Sequence, residues 1–416
     1  MVYMVSNFMK YVNNHSVILY KQFLWTILYI EMNGSGDKTF YHKSLNLCVC
    51  YVRIKLCNLT ARGVHMAYTI RDIAKEVGVS ITTVSLVLNN KKCRVSQETR
   101  DRILETARNF NYNPNSSARA LVTKKTQTLG LIIPDISNPF FSELAMAIET
   151  EAQEQNYSII FCNSSQKGEK DVSNLSLLIG KQIDGLIITT SLSNSDMEHI
   201  HQFNRIVYES KIPVVAVDRQ IPQKNYDYVS IDHMEGGFLA TRHLLELGHR
   251  KIGCITGPLD STSAKERYNG YINALGMFGI QLDESLVYHG DYQMGTGLKG
   301  AEILIGRGVS AIFACNDMMA CGACRQARLM GRAVGRDLSI IGYDDIPLCE
   351  ILEQPLTTIA QPISIMGKNA CRLLIELIHE PQRKIQNIRF LPTLIVRNTT
   401  ARYQPEQENP QSESRN

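Results

Sequence analysis

Apolar residues recur at helical spacing from Thr69 to Asn90 and again from Ser96 to Phe110, and beyond Thr128 the pattern changes to short apolar runs. In TIRDIAKEVGVSITTVSLVLNN, Ile73, Ala74 and Val77 fall on one face of a helix. Thr69 with Asp72 is an N-cap pair for that helix, and Gly78 can take the positive φ that ends it in a tight corner. Ser80 caps a second helix whose apolar face is Val84, Val87 and Leu88, leaving Ile81, Thr82, Ser85 and Leu86 pointing elsewhere. Ser96 starts a third, with Ile103, Leu104, Ala107 and Phe110 inward. Two short helices joined by a Gly-containing turn fit a helix-turn-helix, and the spacing alone fits a hairpin inside a larger core equally well.

From Thr128 onward, Leu129 to Ile133, Ser158 to Cys162, Gly185 to Thr189, Val214 to Val217, Lys251 to Ile255, Ala311 to Ala314 and Ser339 to Gly342 are apolar runs separated by amphipathic stretches. Continuous apolar strands alternating with helices predict parallel sheets covered on both faces. Ligands of such sheets bind at the carboxyl ends of strands, so the loops after these runs hold the candidate site. There, Asn138 precedes Phe140 and Phe141, and Asp218 adjoins Arg219. Further on, Arg267 lies near a helix start, Asn316 and Asp344 follow strands, and Gln361 lies where the chain recrosses. Carboxylates and guanidinium groups that hydrogen-bond vicinal hydroxyls, together with aromatics that stack on a ring, are the composition of a sugar site. Taken singly, each has a structural reading as a helix cap, a loop tie or core.

Between the two regions, Pro114 disfavours helix at Asn113 and suits the start of a short helix from about Asn115 to Leu121. So short a helix is marginal alone, and it can order or melt according to its surroundings.

The chain has 416 residues and a net charge of +4, but Met66 to Lys125 carries eleven Lys/Arg against five Asp/Glu. A concentrated basic head suits a polyanion. Eleven scattered cysteines without a framework spacing point to a reducing cytosol. The lone CxxC, Cys321 to Cys324, reads as buried thiols on a helix, so neither a metal nor a cofactor is expected. No nucleophile elbow, Walker loop or HExxH pair appears, and an enzyme is not expected. The run Phe23 to Ile30 is too short to cross a bilayer, so no membrane partner is expected. Residues 1–65 are expected to be an extension outside the functional protein, with Met66 as the start.

With TIRDIAKEVGVSITTVSLVLNN followed by NYNPNSSARAL, the sequence resembles the LacI/GalR family of bacterial transcriptional repressors. The resemblance implies a small all-α helix-turn-helix head at 66–112 and a hinge helix and linker at 113–127. It implies a body at 128–402 like periplasmic binding proteins, with two doubly wound parallel-sheet subdomains; a disordered tail is expected at 403–416. It implies contact with operator DNA by Thr69, Ser80, Ile81, Thr82, Thr83, Ser85, Leu86 and Asn89 in the head. In the hinge it implies contact by Asn115, Ala118, Arg119 and Leu121, the leucine wedging into the minor groove. Asn138, Phe140, Phe141, Asp218, Arg219, Arg267, Asn316, Asp344 and Gln361 resemble the ribose-contacting positions of ribose repressors, and Tyr292 joins them as a candidate ligand residue. The implied protein is a cytoplasmic homodimer that a small sugar, with ribose favoured, releases from DNA. The alternatives are a purine- or nucleoside-responsive regulator of the same family and a sugar-transport receptor. The family's purine repressor has arginine where Ser261 stands and tryptophan where Arg219 stands.

Overall fold

The structure, a computed structural model, describes residues 68–88, 92–110, 112 and 125–404, which form two units, a head and a body. The head holds α1 (Ile70–Val77), α2 (Ile81–Leu88) and α3 (Gln97–Asn109). Its starts follow the capping chemistry read from the sequence. The Asp72 carboxylate accepts hydrogen bonds from the Thr69 N–H at 2.8 Å and the Thr69 hydroxyl at 2.7 Å. The Ser80 and Ser96 hydroxyls accept the Thr83 and Thr99 N–H groups at 3.0 and 3.2 Å. Gly78 ends α1 at φ 76° and turns the chain toward α2. Ile73, Ala74, Val77, Val84, Val87, Ile103 and Ala107 form the core, and Tyr68 stacks on Phe110 at 4.1 Å.

The body contains two parallel sheets. The first has the order β11-β5-β4-β3-β1-β2, from β1 (Thr128–Ile133), β2 (Ser158–Asn163), β3 (Gly185–Ile188), β4 (Val214–Val217), β5 (Asp227–Ile231) and β11 (Asn387–Phe390). Its face bearing Leu129, Leu131 and Ile133 packs with α4 (Pro139–Glu154) and α12 (Ile363–His379). Ile132, Leu186 and Ile188 face the opposite layer of α5 (Gly168–Gly180) and α6 (Met197–Ser210). Burial on both faces explains why these strands read as unbroken apolar runs.

The second sheet has the order β7-β6-β8-β9, from β6 (Ile252–Thr256), β7 (Val287–His289), β8 (Ala311–Ala314) and β9 (Ser339–Ile341). Two helix pairs flank it. One is α7 (His233–Glu246) on α8 (Thr262–Met277); the other is α9 (Met294–Gly306) on α10 (Asp317–Leu329). The short α11 (Leu348–Ile351) leads to β10 (Thr358–Ala360), which pairs antiparallel with β12 (Thr393–Ile395).

The chain crosses between subdomains three times: from β5 into α7, from β10 into α12, and from β11 to β12. The two doubly wound subdomains read from the sequence are present. Strands β5, β7, β10, β11 and β12 are additions to the apolar runs. The chain enters the body through a clamp in which the Asp184 carboxylate accepts from the Thr126 N–H at 2.8 Å, its hydroxyl at 2.9 Å and the Gln127 N–H at 2.9 Å. The expected hinge helix, the extension at 1–65 and residues 405–416 of the expected tail lie outside the described residues.

Candidate functional site

Side chains from both subdomains converge where the first crossover leaves β5. Asp218 and Arg219 follow β4, and His233 opens α7. Arg267 comes from α8, Asn316 precedes α10, Tyr343 and Asp344 follow β9, and Gln361 follows β10. All are buried.

His233 joins the two halves. Its Nε2 lies 3.2 Å from the Asp218 carbonyl oxygen and 3.3 Å from Asp218 Oδ1. Arg267 Nε donates to His233 Nδ1 at 3.3 Å, which makes Nδ1 the acceptor and places the proton on Nε2. Arg267 also donates to the Cys315 carbonyl at 2.6 Å and to Asp344 Oδ1 at 3.3 Å, and its guanidinium lies 3.8 Å from the Tyr343 ring centroid. Gln361 donates to Asp344 Oδ1 at 2.7 Å.

The two carboxylates are driven apart. Burial acts against the Asp218 charge, but His233, Arg267 and Arg219 outweigh it and hold the carboxyl below its ordinary range. Burial pushes the Asp344 carboxyl well up against the charge of Arg267, and Asp317 adds to the rise. Asp218 is thus an ionised acceptor for hydroxyl groups.

Three polar atoms here are buried without a hydrogen-bond partner, Arg219 Nε, Tyr292 OH and Gln361 Oε1, while Asp218 Oδ1 has only the His233 Nε2 it shares with the Asp218 carbonyl, at 3.3 Å. Such atoms each cost about 1–3 kcal/mol when left unmade, and two of the residues that carry them, Arg219 and Tyr292, also line an open chamber. The backbone agrees. Asp218, Tyr292 and Asp344 have φ of 63°, 69° and 116°, a region that L residues avoid and that concentrates at binding sites. Tyr292 is held there from two sides: Asn316 Nδ2 donates to its carbonyl at 3.0 Å, and its ring fills the space a Cβ on Gly257 would need.

The remaining candidates are placed differently. The Asn138 Oδ1 accepts the Phe140 N–H at 3.1 Å as the cap of α4, and the Asn316 Oδ1 accepts the Met319 N–H at 3.0 Å as the cap of α10. Phe140 and Phe141 belong to the main core, edge to face at 5.1 Å. Phe141 also touches the site, with the Arg219 guanidinium held 5.6 Å from its centroid and 5.5 Å from that of Tyr292. A chamber of about 120 Å³ opens beyond Arg219 and Tyr292, bounded by Thr190, Ser191 and Ser193 on one side and by Ser261 and Thr262 on the other. Gln293 bridges to Asp135 at 3.1 Å and Asn194 to the Asp260 carbonyl at 3.4 Å, so both subdomains meet across it.

His233, Tyr343 and Thr190 did not stand out in the sequence. Tyr343 adjoins the named Asp344, a signal that was present. His233 follows β5, DYVSI, whose polar residues hide the strand that would have pointed to it.

On the head, Thr69, Ser80, Ile81 and Thr82 are exposed, Ile81 by 42%, while Thr83, Ser85 and Leu86 are half-buried. The Thr83 hydroxyl is engaged with that of Ser80 at 2.8 Å. Ile81 and Thr82 at the start of α2 therefore present an aliphatic and a hydroxyl group, and an aliphatic group reads a thymine methyl rather than guanine. Asn89, Asn115, Ala118, Arg119 and Leu121 lie outside the described residues.

Comparison with known proteins matches both the head and the body. Residues 69–115 match the model of the bacterial regulatory proteins of the lacI family, and residues 126–398 match that of the periplasmic binding proteins and sugar-binding domain of the LacI family. The chain is 39% identical to the ribose operon repressor of Halalkalibacterium halodurans, covering 80% of this chain and 97% of that one. It is 38% identical to the HTH-type transcriptional regulator DegA of Bacillus subtilis, covering 81% and 99%. It is 34% identical to the HTH-type transcriptional repressor PurR of Pasteurella multocida, covering 79% and 97%. Among solved structures, the lac repressor dimer bound to operator and the anti-inducer ONPF superposes with a TM-score of 0.71 at 28% identity, covering 80% and 99%. A LacI family regulator from Enterococcus faecium with bound ribose gives 0.61 at 31%, covering 67% and 100%. A helix-turn-helix head and a two-subdomain body with a polar cleft, matched by both family models, place this chain in the LacI family of bacterial transcriptional regulators.

Proposed function

We propose that this repressor binds a near-palindromic operator as a homodimer in the cytoplasm and is released from it by ribose bound between the body subdomains. The observation that carries the ligand reading is the set of orphan atoms, Arg219 Nε, Tyr292 OH and Gln361 Oε1, beside the ionised Asp218 where the two subdomains meet. An ionised Asp218 accepts hydroxyl protons, Arg219 and Arg267 donate to hydroxyl oxygens, and the Phe141 and Tyr292 rings give the ring an apolar wall. The likeness to a ribose operon repressor and to a regulator with bound ribose supports the choice of sugar.

The switch rests on the three crossovers. A ligand that makes its bonds only when both subdomains close on it shifts the population toward that arrangement. The change reaches the head through the linker clamped by Asp184. Two copies fit a two-fold operator. Exposed Leu329, at 70%, lines an apolar hollow between α10 and Leu352 and supports self-association. No catalytic step is part of this reading.

Calorimetric titration with ribose, other pentoses, hexoses and nucleobases tests the ligand. Ribose is expected to bind, and saturation by a nucleobase with no heat from any sugar would replace the reading with its purine alternative.

A further inference from the structure

The open chamber is lined by Arg219 and Tyr292 but not by Asp218, Arg267, Asp344 or Gln361, so it extends the inner polar set rather than coinciding with it. Two residues on its inner wall each carry a buried polar atom that makes no hydrogen bond, and both atoms can donate. Arg219, 8% exposed, carries an unpaired Nε; Tyr292, 6% exposed, carries an unpaired hydroxyl. The remaining bonds of Arg219 do not use that N–H. Its Nη1 donates to the Thr190 carbonyl at 3.4 Å, and Nε lies 3.7 Å from Asp218 Oδ2, beyond hydrogen-bond reach.

The opposite wall begins α8, a 16-residue helix whose N-cap Ser261 makes no capping bond. The Ser261 hydroxyl sits 3.2 Å from that of Ser263 instead. The first-turn N–H groups and the positive end of the helix dipole are therefore available at this wall. Ser191 and Ser193 add hydroxyls. Asp260 also borders the chamber, but it is exposed, so solvent and salt screen its carboxylate.

We propose that the effector is a sugar phosphate, its ring in the inner set and its phosphate monoester in this chamber. A second sugar ring would offer the free N–H groups only neutral hydroxyl oxygens, whereas a phosphate offers them charged acceptor oxygens matched to the Arg219 guanidinium and the helix N-terminus. The proposal rests on the cleft being a sugar site, and its test separates the two. Ribose and a hexose are each titrated calorimetrically against the full chain beside their phosphate monoesters, with inorganic phosphate alone as a further arm.

For at least one sugar, the monoester is expected to bind about tenfold or more tighter than the parent sugar. Tyr292→Phe, which keeps the ring against Gly257, and Ser193→Asp, which sets a carboxylate on the wall, are each expected to shrink that ratio to about threefold or less. A ratio taken on one variant cancels any change in folding. Parent sugars binding as tightly as their monoesters would overturn the sugar phosphate and leave the sugar reading standing. Inorganic phosphate binding as tightly as the monoester would also overturn it. No binding by any sugar or monoester would overturn both.

Discussion

Asp171 lies at the back of the cleft, fully buried, where its carboxylate accepts the Thr190 hydroxyl at 2.8 Å and the Ser191 N–H at 2.6 Å. Burial raises its pKa from 3.8 to about 6. The folded form thus holds more protons than the unfolded one between these values, and the stabilisation from this group, full below 3.8, is lost as pH rises through about 6. Asp317, also raised to about 6 by burial, acts in the same direction. The loss from these two carboxyls falls between about pH 4 and pH 6, and it is isolated by comparing the melting of the parent with that of a variant lacking one of them. Asp171→Asn keeps an oxygen for both donors, and its drop in melting temperature over that range is expected to be smaller by about 3 °C. Equal drops in the two proteins would contradict the assignment. At the same scale, Arg219→Ala is expected to abolish the ligand response while operator retardation persists, measured by titrating sugar into the preformed DNA complex.

The residues that the sequence made visible were those with a marked chemical type just after an apolar strand, such as Asp218 and Arg219. Asn138 and Asn316 were visible for the same reason, yet their oxygens cap α4 and α10. A cap and a ligand contact use the same side chain at the same loop position, so sequence alone cannot part them. His233 was invisible because its role depends on three partners, Asp218, Arg267 and Tyr343, brought together only by the crossover.

Among the elements, the α7–α8 pair shows how backbone approach places a ligand group. A Cβ on Gly237 would overlap the Arg267 carbonyl, and one on Gly270 would overlap the Met234 carbonyl. Gly237→Ala therefore forces the helices apart and displaces Arg267. It is expected to cost about 1–3 kcal/mol of stability, and sugar affinity should fall with it. Gly276→Ala, on α8 with open space around it, is expected to stabilise by about 0.5–1 kcal/mol. Denaturant unfolding of both variants checks the contrast, and a Gly237→Ala protein as stable as its parent would contradict it. In the head, Val84→Ala is expected to cost about 2 kcal/mol or more from a small core, with operator binding lost and sugar binding kept.

Helices with capping signatures and strands buried on both faces were legible in advance. The additional strands were not, because their burial is mixed. In β5, Asp227 is buried only through its ion pair with Arg383 at 2.8 Å and the Gln386 N–H at 2.7 Å, partners more than a hundred residues away. In β11 and β12 no residue that the sheet fully covers forms a run.

For the whole molecule, the division into a basic head and a body of opposite net charge was readable from charge alone, and the family motifs gave the order of its parts. The geometry of closure was not, since it depends on contacts such as Gln293 to Asp135 that join distant segments. A head that neutralises several phosphates predicts operator affinity that falls about a thousandfold between 50 and 200 mM salt. Affinity that is flat in salt would remove the electrostatic part of the account.

In this protein a polar cleft is expected to control DNA binding by the same chain. The most direct test is gel retardation of a palindrome-bearing fragment from the gene's own upstream region at low salt, with and without ribose or its phosphate monoester. Retardation by the protein alone is expected, with release when the ligand saturates the cleft. No retardation of any such fragment would contradict the repressor reading, and tighter retardation with ligand would contradict the direction of the switch.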